Sequence, residues 1–209
     1  MVQALDYLKE TPSQTAGPYV HVGLLPCQAG FQIFQTEFSN TLYGGATIGE
    51  RITIEGRVID GAGTPLRDAL LEIWQANSEG RYDHPADTQP KALHADFRGW
   101  GRTCSDFTTG LYTFHTIKPG PVVVSTPGRS MAPHITFWIV ARGINIGLST
   151  RMYFSDEVAA NAADPVLNLI EPKDRWLTLI AERSTRDAQT IYTFDIRIQG
   201  QNETVFFDI

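Results

Sequence analysis

The feature that most constrains this chain is a two-residue rhythm of apolar and polar side chains, repeated in short segments with turn residues between them. In a strand, successive side chains point to opposite faces, so this rhythm yields one face for a core and one for solvent. Ile52–Ile59 (ITIEGRVI) keeps the rhythm, and Asp60-Gly61-Ala62-Gly63 follows as a turn using positive-φ positions. Leu111–Ile117, Leu148–Phe154 and Ile191–Ile198 repeat it; Ala69–Gln75 supplies a further strand and Thr204–Phe207 a short last one. His134–Ala141 (HITFWIVA) is apolar and aromatic almost throughout, as a strand at the centre of a sheet is. Many short strands with turn signals between them predict a mainly β, single-domain sandwich.

The remaining segments read as connections. Gly99–Gly110 is rich in glycine and threonine and reads as a loop. Two segments read as helical: Ser155–Ala163, capped by Ser155 or Asp156, and Lys173–Arg183, where Trp176, Leu177 and Ile180 share a face. Residues 1–46 carry Pro, Gly, Thr and Gln with little periodicity and read as an extended amino-terminal arm that packs on a partner chain, leaving 47–209 as the sandwich. With 42% hydrophobic and 19% charged residues the chain is globular, and 209 residues suffice for one sizeable core. A net charge of −6 without a basic stripe argues against a nucleic-acid partner and suits a cytoplasmic protein. Cys27 and Cys104 show neither metal nor disulfide spacing and read as free thiols. The first residues hold no signal-like apolar run, and no apolar stretch is long enough to span a bilayer, so neither secretion nor a membrane is expected.

Chemistry concentrates in Ile117–Val140 (IKPGPVVVSTPGRSMAPHITFWIV), where a proline-glycine turn precedes Val122 and the long apolar strand opens His134-Ile135-Thr136. Upstream stands Gly80-Arg81-Tyr82. This arrangement resembles the intradiol ring-cleaving dioxygenases. In that family the position after Pro-Gly-Pro is a tyrosine, the strand opens His-x-His, and an earlier tyrosine completes a two-Tyr, two-His ferric site. Tyr82 and His134 match two of those positions, whereas the other two read Val122 and Thr136. Fe³⁺ is a hard ion that favours phenolate oxygen and imidazole. Val122 has no lone pair to offer, and the Thr136 hydroxyl is neutral and reluctant to ionise. The resemblance therefore implies a vestigial set, Tyr82, Val122, His134 and Thr136, with neither metal nor catalytic residue in this chain.

The resemblance runs through Thr11–Tyr19, Gly56-Arg57-Val58, Leu71–Asn77, Ala141–Asn145, Asp164–Asn168, Phe194–Gly200 and Glu203–Asp208. Several of these segments are similar to the non-catalytic α chains of the family's two-chain enzymes. It implies a partner β chain that carries Fe³⁺, a higher-order αβ oligomer, and no cofactor bound by this chain. It also implies that the complex cleaves 3,4-dihydroxybenzoate with O₂ to 3-carboxy-cis,cis-muconate, and that this chain completes the partner's substrate pocket. Thr15, Gly17, Pro18 and Tyr19 of the arm are the residues carried over to that pocket, together with Arg142, whose planar fork suits the substrate carboxylate.

Read from the residues alone, other assignments stay open. T-x-G-P-Y also describes a turn with an anchoring aromatic, and Arg142 a surface arginine at a strand end. Tyr82 and His134 also describe a buried polar pair satisfied by a hydrogen bond. For the whole chain the alternatives are a sandwich binding or structural module without a role in catalysis, and a self-sufficient metalloenzyme built on Tyr82 and His134. His84 is expected at the surface, and His21, His94 and His115 lack metal spacing. Asp83, Asp87 and Asp96 read as solvated loop acids. Phe31, Phe34, Phe38 and Tyr43 exceed the aromatic content of an exposed loop; a partner interface or packing on the chain's own sandwich explains them.

Overall fold

The computed structural model describes residues 14–17, 19–34, 39–124, 129–145 and 147–208. Among the described residues, nine strands form one mixed sheet that curls into a nearly closed sandwich. They are β1 (Arg51–Ile59), β2 (Leu70–Gln75), β3 (Trp100–Cys104), β4 (Leu111–Ile117), β7 (His134–Val140), β8 (Leu148–Phe154), β9 (Ile180–Arg186), β10 (Gln189–Thr193) and β11 (Ile196–Arg197). A separate ribbon pairs β5 (Val122–Val123) with β6 (Ser130–Met131). The strand order is β11-β1-β10-β9-β8-β7-β2-β3, with β4 on the second side of β1. The apolar run at 134–140 therefore lies inside the sheet, antiparallel to β2 on one side and to β8 on the other.

Alternation accounts for the core. Ile52, Ile54 and Val58 of β1 point inward with Tyr112 and Phe114 of β4, Ile135, Phe137 and Ile139 of β7, and Met152 and Phe154 of β8. The rings of Tyr112, Phe114 and Phe137 meet in tilted, edge-on contacts with centroids 6.0, 6.1 and 6.2 Å apart. Burying each such ring stabilises the fold by about 2 kcal/mol. On the opposite face of β7 and β8 a second cluster forms from Ala132, Tyr153, Leu167 and Leu179.

Several local expectations are corrected. Trp100–Cys104 is a strand inside the expected loop 99–110, because its residues alternate and Glu72 of β2 takes Arg102 in an ion pair of 2.5 Å. Ile191–Ile198 is two strands, not one. A bend at Phe194–Asp195 faces Gly56, where a Cβ would strike the Phe194 carbonyl, and the Tyr112 hydroxyl donates to that same carbonyl. Lys173–Leu179 is a 3₁₀ helix, and Ile180 already begins β9, so no helix reaches Arg183. The helix after β8 is α2 (Val158–Ala163), with Glu157 at its amino-terminal cap position. Ser155 and Asp156 are engaged elsewhere: Arg183 N–H donates to Ser155 Oγ at 3.0 Å, and Asp156 takes Lys118 and Tyr192. Among the described residues Thr204–Phe207 makes a single bridge, Phe207 to Ser149.

The arm is less extended than its composition suggests. Its described part includes a short helix, α1 (Val20–Leu24), after which Leu25 is buried with Leu70 and Cys104. Leu42 enters the main core, and Tyr43 packs against it while the Arg51 guanidinium lies 4.8 Å above its ring.

Candidate functional site

Two loops set the first group of residues. Asn77 accepts from Glu79 and Arg81 N–H through its side chain, both at 3.0 Å, and its carbonyl accepts from Gly80 and Gly120 N–H, both at 2.9 Å. Gly80 sits at φ +80°, and a Cβ there would collide with the Pro121 carbonyl, so the close approach of the two loops requires glycine. Tyr82 leaves this junction with its backbone N–H held by Asp87 Oδ2 at 2.8 Å and its ring stacked on Trp74, 5.7 Å between centroids.

The Tyr82 hydroxyl lies 3.2 Å from His134 Nε2, while His134 Nδ1 lies 2.8 Å from the Ala132 carbonyl. A carbonyl only accepts, so Nδ1 carries the proton and Nε2 accepts from the phenol. At 1% exposure, burial lowers the His134 pKa to about 4, and the Arg151 charge adds to that effect. Burial likewise raises the Tyr82 phenol above its ordinary value, with Arg151 opposing. Asp164 fixes the entry to β7: its carboxylate accepts from Ala132 N–H at 2.8 Å and from Val166 and Leu167 N–H at 2.8 and 2.9 Å.

Val122 is buried on β5, opposite Met131. Thr136 stands in register between Trp74 and Arg151, and side chains directly opposed on neighbouring strands share a face. The Arg151 guanidinium donates to Met131 Sδ at 3.4 Å and lies 5.8 Å from the centre of the Phe207 ring. A cavity of about 600 Å³ beside these residues is lined by Trp74, Tyr82, Asp87, Gln89, Val122 and Val124.

This donor set does not fit a ferric ion. Of the four positions only Tyr82 and His134 carry donors suited to it; Val122 offers nothing, and Thr136 offers a neutral hydroxyl. A guanidinium on the same face adds repulsion to any cation. Arg151 was invisible as a site residue in the sequence. Its signal was its place in the alternation of Leu148–Phe154, two residues before Tyr153 and so on the same side of the strand.

The second group lies elsewhere. Arg142 follows β7 at the end opposite His134, roughly 25 Å away along the strand. The Thr15 hydroxyl accepts from Gly143 N–H at 2.8 Å and donates to the Ala141 carbonyl at 3.2 Å, pinning the turn on both sides of Arg142. The Arg142 side chain is 64% exposed and pairs through Nε with Asp68. Tyr19 is 80% exposed, a Cβ at Gly17 would meet nothing within 4 Å, and Pro18 lies outside the described residues. The structure thus joins Thr15 to the turn that carries Arg142, and Tyr82 to His134, and it keeps the two groups apart.

The other histidines and acids divide. His84 is exposed, His115 Nδ1 lies 3.2 Å from Thr53 Oγ1, and His21 is buried with its ring edge against Phe107. Among the described residues no cluster of three or more His, Cys, Asp or Glu is placed to hold a metal. Asp83 is solvated as expected, but Asp87 and Asp96 are not idle: Asp87 takes Tyr82 and Gln89, and Asp96 Oδ2 accepts from Ala46 N–H at 3.0 Å. Phe31 and Phe34 are exposed, and Phe38 lies outside the described residues.

Residues 32–200 match the protein family described as Dioxygenase. The chain is 50% identical over 204 residues to the protocatechuate 3,4-dioxygenase alpha chain of Pseudomonas putida, covering 98% of each. It is 35% identical over 169 residues to the protocatechuate 3,4-dioxygenase beta chain of Burkholderia cepacia, covering 79% of this chain and 71% of that one. Among solved structures, the dioxygenase domain of a dioxygenase–carbohydrate-binding protein fusion from Streptomyces sp. SirexAA-E superposes with a TM-score of 0.57 at 26% identity, covering 94% of this chain and 100% of that one.

Proposed function

The chain belongs to the intradiol dioxygenase family, and on that premise we propose that it is the non-metal-binding α subunit of a protocatechuate 3,4-dioxygenase. In this reading an iron-bearing β chain is its partner, in αβ units assembled into a larger cytoplasmic oligomer. The complex cleaves 3,4-dihydroxybenzoate with O₂ to 3-carboxy-cis,cis-muconate, and the Fe³⁺ that this reaction needs resides in the β chain. The observation that carries the reading is that two of the family's four ligand positions are Val122, on β5, and Thr136, opposite Arg151, neither of which offers an anionic donor.

The chain's own contribution is a wall for its partner's substrate pocket. The arm, with Thr15, Gly17, Pro18 and Tyr19, packs on the β chain, and the exposed Phe31, Ile33 and Phe34 extend the apolar surface for that contact. Arg142 offers its guanidinium to the carboxylate of the aromatic acid, and exclusion of water at the joint strengthens that pairing. The carboxylate contact favours the acid over plain catechol.

Purified alone, the chain is expected to hold no stoichiometric iron and to cleave no ring, whereas co-expression with the β chain yields an active complex. One tightly held iron and ring cleavage by this chain alone would refute the reading. Arg142→Ala in the complex is expected to raise KM for 3,4-dihydroxybenzoate with the iron content unchanged; an unchanged KM removes Arg142 from the pocket.

A further inference from the structure

Resting on that reading of Arg142, we infer that Asp68 is the positioning residue that aims the Arg142 guanidinium at the carboxylate of the aromatic acid. A guanidinium can meet carboxylates along two edges, one using Nε and an Nη, the other using both Nη atoms. Asp68 Oδ2 takes Nε, and among the described residues neither Nη makes a hydrogen bond. The end-on edge, with its two parallel donors, is therefore the one left for a ligand.

Both ends of the arginine are anchored. Its backbone is fixed by Thr15, which bonds to the residues on either side of it. Its head is fixed by Asp68, which is itself well covered, its side chain 21% exposed. Asp68 lies in the same cleft as His21, a buried residue of α1. An exposed arginine has rotamer freedom to lose when it binds a ligand. Holding it beforehand removes that cost from the binding step.

The sign of the effect separates positioning from simple charge. Asp68 is an anion beside the cation that meets an anionic substrate. If Arg142 acted only as a charge, removing Asp68 would strengthen the field at the pocket and lower KM. If Asp68 positions Arg142, removing it raises KM.

The test uses the αβ complex, with Asp68→Ala, Asp68→Asn, Arg142→Ala and the double variant Asp68→Ala/Arg142→Ala, each confirmed as assembled by size exclusion. Asp68→Ala is expected to raise KM for 3,4-dihydroxybenzoate about tenfold, with kcat moving less than KM. Binding of catechol, the same ring without the carboxylate, should move less still. Asp68→Asn keeps the shape, should show a smaller rise of the same sign, and carries the test if the alanine variant does not assemble. The double variant should be no worse than Arg142→Ala, because the two act as one unit. A KM that falls or stays put on loss of Asp68, while Arg142→Ala raises it, overturns the inference and leaves the role of Arg142 standing. An Arg142→Ala variant with unchanged KM overturns both.

Discussion

The buried His134 makes a quantitative prediction about acid. Its ring has one proton, on Nδ1, and a second would place a charge at a site that is 1% exposed and near Arg151. The folded protein therefore accepts the proton only near pH 4, whereas an unfolded histidine accepts it near 6.5. Above about pH 6.5 the ring is neutral in both states and costs nothing. As pH falls from there to about 4 the unfolded chain is protonated first, so stability is lost through that window and no further below it. At about 1.4 kcal/mol per pH unit, the full window removes about 3 kcal/mol. Carboxylates such as Asp87 and Asp156 also lose their interactions in acid, so the assay must be differential. Urea denaturation of the wild-type chain and of His134→Gln, from pH 7.5 down to 4.5, should show the stability of the wild type relative to the variant falling by most of that 3 kcal/mol toward the acid end. Two curves that stay parallel across the range would mean that His134 takes up its proton in the fold, and the argument from burial would fail.

Three further outcomes are expected. Asp164→Ala strips the acceptor from Ala132, Val166 and Leu167 N–H, and should cost about 4 kcal/mol in denaturant midpoints. Gly80→Ala must relieve both a positive φ and a clash with Pro121, at about 3 kcal/mol by thermal or chemical melting. Tyr82→Phe leaves His134 Nε2 without its donor; it should lower stability by about 1.5 kcal/mol while the αβ complex cleaves substrate at the wild-type rate, and a large loss of kcat would instead give Tyr82 a role in the chemistry.

What the sequence made legible follows from period and chemistry. β4 (Leu111–Ile117) and β8 (Leu148–Phe154) have the bounds that alternation assigns, and His134–Val140 is interior as its apolar run requires. The errors share a cause: long-range partners decided local form. Trp100–Cys104 becomes a strand because β2 lies beside it, Ile191–Ile198 breaks because Gly56 faces the bend, and the apolar residues Trp176 and Ile180 pack on the second cluster from a 3₁₀ turn and a strand instead of one helix. The pairing of Tyr82 with His134 follows from the motif, and alternation puts Arg151 on the side of Tyr153, but setting Arg151 opposite Thr136 and Asp68 beside Arg142 needed the register and the folded turn, which no local window contains.

The two parallel pairings of β1 set a timetable for synthesis. Ile52 lies against Thr190 and Val58 against Ile196, although 138 residues separate each pair along the chain. Its antiparallel neighbour β4 is available once residue 117 has emerged, but the other edge of β1 has no partner until β10 and β11 leave the ribosome. At about 5–20 residues per second that edge waits on the order of ten seconds, with its hydrogen-bonding groups open to any other strand. A second nascent chain of the same kind is the competitor best matched to it in pattern. Faster translation or a holdase chaperone should therefore raise the soluble yield of this polypeptide more than any change at its surface.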